Sequence, residues 1–146
     1  MINRLAVILI GQYRTWPICS KYFLNFFKDK ANRVDYFFVT WDKTSVYADG
    51  AWSDPVIKVT YDQLSEFFDK DQNVWYKIIP DIPNIHTYYR MAYLSRAANK
   101  LKREIESQNN FVFDQVVETR PDMYFRSYPK KGLESKWPIC GDYQYS

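Results

Sequence analysis

The first segment of the chain, Arg4 to Gly11 (RLAVILIG), is apolar almost without interruption and rich in β-branched residues. A strand that alternates apolar and polar residues has one wet face; a continuous apolar run has none, and it predicts a parallel strand buried on both faces. The segment ends at Gly11, where a missing Cβ lets the backbone turn sharply or pass close to a ligand. Thr15 stands where a helix N-cap would, with Pro17 in the first turn. The helix is expected to run to about Lys28, with Ile18, Tyr22, Phe23, Phe26 and Phe27 on its inner face. VDYFFVTWD repeats the continuous apolar pattern and predicts a second buried strand ending at Thr40-Trp41-Asp42.

Residues 43–55 are polar, carry Gly50 and Pro55, and read as a loop. VIKVT, 56–60, alternates and predicts a short third strand, and YDQLSEFF a short helix with Asp62 at its positive end. VWYKII, 74–79, is a weaker strand pattern closed by Pro80 and Pro83. From about Ile85 to Ser107, apolar groups fall at Tyr89, Tyr93, Leu94, Ala97, Ala98, Leu101 and Ile105, the stripe of a long helix lying on a sheet. Gln108-Asn109-Asn110 breaks it. FDQVVETR then predicts the last strand, stopped by Pro121. Strands alternating with helices in this way predict an α/β fold with a mostly parallel sheet and flanking helices.

The chain has 146 residues, enough for one domain with a core of its own, and its composition is that of a globular protein. The formal net charge of +3 is spread without a run of like charges, which argues against nucleic acid as a partner. Aromatic residues make up 19%, an unusual share; most are expected to fill core and surface, though tyrosine rings also suit sugar and base pockets. Cys19 and Cys140 have no metal-site spacing and are expected to be free, buried thiols. The single histidine, His86, is expected to be structural. The apolar run at Leu5–Ile10 is too short for a signal core or a transmembrane span, so the cytoplasm is the expected compartment.

In open α/β sheets ligands sit beyond the carboxyl ends of the strands, where strand order reverses. Three such ends carry polar clusters: Gly11-Gln12-Tyr13-Arg14, Thr40-Trp41-Asp42 and Thr119-Arg120-Pro121-Asp122. Each has a plain alternative, since Asp122 and Asp42 suit turns and Trp41 suits a core. A cation at Arg14, beside a helix start, works against the helix dipole and points to an anion near it. The chemistry these residues offer is the binding of a diphosphate by guanidinium forks, with a carboxylate as a hard oxygen ligand for magnesium or manganese. No residue stands out as a catalytic base.

LAVILIGQYRTW, DYFFVTWD and the long helix leading into FDQVVETRPDMYF together resemble glycosyltransferases of the GT-A nucleotide-sugar type. More narrowly, they are similar to a group of small phage, marine-microbial and capsule-cluster glycosyltransferase-like proteins. In that group one strand ends in Gly-Gln-x-Arg, a second in Thr-Trp-Asp, and a later one in Arg-x-Arg-Pro-Asp. Here Glu118 stands where the group has its first arginine.

The resemblance implies a Rossmann-like donor half of strand order 3-2-1-4. It implies a nucleotide-diphosphate sugar as donor and a carbohydrate as acceptor. Gly11, Gln12 and Thr40 would hold the nucleoside, with Trp41 and Asp42 beside them, Arg14 and Arg120 the diphosphate, and Asp122 a manganese or magnesium ion. It also implies that residues 1–146 form a single donor-binding domain ending before the acceptor part, which leaves an uncovered surface suited to a homodimer. Two other classes stay open: a non-catalytic glycan- or protein-binding α/β module, and a nucleic-acid binder using its aromatic and basic residues.

Overall fold

A computed structural model describes residues 2–82, 84–126 and 141–144. The central sheet has four strands, all parallel: β1 (Ile2–Gly11), β2 (Ala31–Trp41), β7 (Asn73–Ile79) and β8 (Gln115–Thr119), in the spatial order β7-β2-β1-β8. Numbered within this sheet, that order is the expected 3-2-1-4. The fold is α/β and Rossmann-like, with α1 (Trp16–Phe27) and α2 (Tyr61–Ser65) on one face and α3 (Thr87–Asn109) on the other.

The apolar runs of β1 and β2 are explained by two cores, one on each side of the sheet. Leu5, Val7 and Leu9 of β1 and Tyr36 and Phe38 of β2 pack with Trp16, Phe23 and Phe27 of α1 and Leu64 of α2. The alternate residues Ala6, Ile8 and Ile10, with Phe37, Val39 and Trp41, pack with Leu94, Ala98 and Ile105 of α3. Each large side chain buried here contributes about 1.5–3 kcal/mol relative to an exposed one. The edge strands are less apolar because each has a neighbour on one side only.

Several expectations need correction. The inner face of α1 is Trp16, Cys19, Ser20, Phe23 and Phe27, while Ile18 and Tyr22 lie in solvent. At 100° per residue Ile18 lies about 160° and Tyr22 about 120° round the helix from Trp16, off the inner stripe that Trp16 begins. Thr15 occupies the N-cap position without a side-chain capping bond. Tyr89 and Tyr93 likewise point outward from α3, whose buried line is Leu94, Ala98 and Ile105. His86 is structural, as expected: its ring accepts a hydrogen bond from the Tyr88 backbone at the start of α3. Cys19 is not a free thiol but is disulfide-bonded; Cys140 lies outside the described residues.

The predicted third strand, 56–60, is not part of the sheet. Only Ile57–Lys58 (β6) is a paired strand there, antiparallel to Lys43–Thr44 (β3). Between them Tyr47–Ala48 (β4) and Ala51–Trp52 (β5) form a tight hairpin over Asp49-Gly50, both at positive φ. α2 is shorter than expected and is started by a reciprocal capping box between Thr60 and Gln63. After β8 the chain forms β9 (Met123–Arg126), paired in parallel with β10 (Gly141–Gln144). Among the described residues no helix is long and apolar enough to cross a membrane.

Candidate functional site

The site begins where β1 ends. The chain runs outward from β1 through β2 to β7, then crosses to β8 on the other side of β1. The reversal therefore lies between β1 and β8, where a ligand crevice is expected. Gly11 has φ +134°, a conformation that side chains rarely adopt, and the Cδ of Pro121, at the end of β8, lies 3.4 Å from where its Cβ would be. The hydroxyl of Thr40, on the neighbouring strand, donates a 2.6 Å hydrogen bond to the Gly11 carbonyl oxygen.

The residues after Gly11 are stitched to the loop after β2. The Arg14 backbone N–H donates to Thr44 Oγ1 at 2.8 Å. Gln12 Oε1 accepts from Arg14 Nε at 2.9 Å and from the Ser45 N–H at 3.1 Å. The Arg14 guanidinium also lies over the Trp52 ring, 4.9 Å from its centre. Arg14 is thus held in one place, with a positive φ of 25°.

Arg14 and Gln12 form one wall of a cleft of about 210 Å³, and Arg120 and Asp122 at the end of β8 form another. Trp41 from β2 and Thr87, Arg90 and Met91 from the start of α3 complete it. Arg120 Nη2 donates to Asp122 Oδ2 at 2.6 Å, while Asp122 Oδ1 is buried with no hydrogen-bond partner. Arg90 is ion-paired with Asp81, donates to the Ile82 carbonyl and lies over Trp41 at 4.6 Å. Burial lowers the pKa of the Arg14 guanidinium from its usual value; Asp122 acts against this and Arg120 adds to it. A guanidinium so shifted is still charged at neutral pH. The cleft therefore holds an excess of positive charge, and its chemistry suits an anion with several oxygens.

A second cavity, of about 410 Å³, shares Arg14 with the cleft. Tyr13, Ile18, Val46, Tyr47 and Trp52 line it together with the polar edge of Thr44 and Ser45. Tyr47 and Trp52 are cross-strand partners on the hairpin, their rings meeting edge to face with centres 5.3 Å apart. Flat apolar walls beside a cation can receive a ring attached to an anionic group.

Of the residues expected at the site, Gly11, Gln12, Arg14, Trp41, Arg120 and Asp122 line one cleft. Thr40 and Asp42 do not. Thr40 is fully buried and supports Gly11 from behind. Asp42 turns away, its Oδ1 accepting the Asp81 N–H at 2.8 Å. Glu118 also faces elsewhere: it accepts hydrogen bonds from Ser95 at 2.7 Å and Asn99 at 3.4 Å, tying β8 to α3. Thr87, Arg90 and Met91 were not foreseen, because nothing in their local pattern links the start of α3 to the strand ends. The Tyr47–Trp52 pair was missed too, although the Asp49-Gly50 hairpin signal between its partners was there to be read.

No group of three or more His, Cys, Asp or Glu side chains able to hold a metal ion occurs among the described residues. Asp122 contributes one carboxylate to the lining of this cationic cleft, with its Oδ1 buried and without a hydrogen-bond partner. That donor set does not make a cage for a resident ion. It does fit an ion that arrives on a phosphate group, since magnesium is commonly held by one or two carboxylates plus substrate phosphates. Comparison with protein-family models, curated proteins and solved structures finds no match to this chain.

Proposed function

We propose that the cleft between β1 and β8 binds the diphosphate of a nucleotide sugar and that the chain is a glycosyltransferase donor domain. The observation that carries this reading is the convergence of Arg14 and Arg120, from the ends of adjacent strands, with the Gly11 backbone and Asp122 on one cleft. Two guanidinium forks meet the phosphate oxygens, and the adjoining Tyr47–Trp52 cavity receives the nucleoside ring.

In glycosyl transfer the bond from the sugar C1 to the diphosphate oxygen breaks as an acceptor hydroxyl attacks C1. The leaving diphosphate gains negative charge, and Arg14 and Arg120 stabilise it more strongly as that charge grows. Manganese or magnesium carried on the diphosphate would add further neutralisation of the leaving group, with Asp122 as its protein ligand. The proton of the acceptor hydroxyl passes to the leaving diphosphate oxygen or to water.

Isothermal titration of the protein with UDP and with GDP, each with and without manganese, tests the reading. Binding of at least one nucleotide, lost when Arg14 and Arg120 are both replaced by alanine, is expected. Absence of binding by folded protein under all four conditions overturns it. A non-catalytic glycan-binding module is the second reading, favoured by the exposure of Tyr47 (58%) and Trp52 (38%) beside their cavity. Binding of neutral sugars there without any nucleotide binding would favour it.

A further inference from the structure

A separate groove of about 440 Å³ runs between the outer strand β7 and α3. Ile79 and Ala97 form its floor, and Lys77, Arg96 and Lys100 supply its charge. All three cations are exposed, and none has an ion-pair partner among the described residues. No carboxylate among the described residues lines the groove. On α3 the residues Tyr89, Tyr93, Arg96 and Lys100 follow a spacing of three and four, so they stand on one face of the helix. Tyr89 is 66% and Tyr93 50% exposed.

The groove adjoins the candidate site. Tyr93 lines the groove and stacks on Trp41, with ring centres 5.9 Å apart and planes 25° from parallel. Trp41 lines the cleft on its other side.

We infer that this groove binds a carbohydrate chain carrying carboxylate groups. The half-exposed ring of Tyr93 suits the apolar face of a sugar ring, and the three unpaired cations complement the carboxylates. Its volume lies within the roughly 300–1,000 Å³ usual for small-ligand sites. A nucleic-acid strand fits less well, because its phosphate backbone is held by an extended set of cations and this groove has three, with no basic run to extend it. A peptide added to the edge of β7 fits less well too, since the Ile78 N–H already donates to the Tyr61 hydroxyl at 3.2 Å. Calling the bound chain an acceptor rests on the donor reading above; the binding itself does not.

Isothermal titration with a galacturonic acid hexamer, a neutral maltohexaose and a short oligothymidylate tests the inference on the full chain. The acidic hexamer should bind and weaken with salt, and the neutral one should bind at least about tenfold more weakly. The double variant Arg96→Glu, Lys100→Glu should lose about tenfold or more for the acidic hexamer while keeping the parent's melting temperature and its UDP titration unchanged. Equal binding of acidic and neutral hexamers, unchanged binding by the variant, or tighter binding of oligothymidylate each overturns it. A parent that binds the acidic hexamer but no nucleotide supports the groove and counts only against the donor reading.

Discussion

The hydroxyl of Thr40 donates a 2.6 Å hydrogen bond to the carbonyl oxygen of Gly11, from one fully buried strand end to the next. Thr40 thus acts behind the cleft, setting the backbone that its ligand would meet. Thr40→Val keeps the shape and removes the donor, and a buried group left unsatisfied costs about 1–3 kcal/mol. Chemical denaturation should show a loss of that size for Thr40→Val and a smaller one for Thr40→Ser. A valine variant as stable as the parent would show that the bond is dispensable.

Gly11 is constrained by its backbone rather than by lack of space. A Cβ there would meet Pro121 Cδ at 3.4 Å, an ordinary contact, but the φ of +134° is the obstacle. Gly11→Ala should therefore destabilise the protein by about 1–3 kcal/mol, the usual cost of a strained backbone. On the donor reading it should also weaken UDP binding, because relaxing φ shifts the β1 end that lines the cleft. Pro121→Ala frees space without easing φ, so Gly11→Ala should be no less costly in that background. Recovery of stability in the double variant would mean that crowding was the cause.

The central strands and the long helix were legible because burial on both sheet faces leaves a continuous apolar run and burial on one face leaves a helical stripe. β7 was faint because an edge strand has less to bury. The short pairings at 43–58 were illegible as strands, since a two-residue ladder has no period to detect, although Asp49-Gly50 and the Thr60–Gln63 capping box are local signals. The polar residues past the strand ends were found from position alone. Position does not distinguish a residue facing the cleft from one behind it, and so Thr40 and Asp42 were grouped with Arg14. The aim of Glu118 depends on Ser95 and Asn99, more than 18 residues earlier, and no local pattern carries it.

Glu106 joins the end of α3 to the start of the last sheet strand. Its Oε1 accepts the Phe113 N–H at 3.0 Å and its Oε2 pairs with Lys102 at 2.9 Å. Burial alone would raise its pKa, but the Phe113 N–H and Lys102, with Arg103, outweigh it and hold the carboxyl below its usual 4.5. A carboxylate with a lowered folded-state pKa contributes stability that is fully present above the unfolded value and is lost as pH falls through the folded one. Glu106→Gln should therefore cost more at pH 7 than at about pH 3.5. Urea denaturation of parent and variant at both values checks this, and a cost that does not change with pH would remove the ionised carboxylate from the account.

Arg14 is held by its Nε bond to Gln12 and by the Trp52 ring, so its planar fork is fixed before any ligand arrives. On the donor reading, Arg14→Lys keeps the charge and loses the fork. UDP affinity should fall about tenfold, the size of one charge-assisted hydrogen bond of about 1.4 kcal/mol. Thermal stability should change little. Titration by calorimetry decides it, and a lysine variant that binds as tightly as the parent would show that only the charge matters.

On the donor reading, Asp122 is where the part played by a metal ion can be separated from that of the arginines. Its Oδ2 accepts from Arg120 while its buried Oδ1 has no partner, so on that reading one carboxylate would both restrain the phosphate-binding Arg120 and, once uncovered, give an oxygen to a cation. Removing it should have opposite effects in the two conditions. Without a divalent ion, Asp122→Ala frees Arg120 and lifts a repulsive charge, so UDP should bind at least as tightly as to the parent. With manganese, the parent should gain affinity and the variant should gain little. Calorimetric titrations of both proteins, with manganese and with a chelator, give the four values needed. An equal manganese gain in parent and variant would take the metal from Asp122, and weaker metal-free binding by the variant would mean that the Arg120–Asp122 pair positions the guanidinium instead of restraining it.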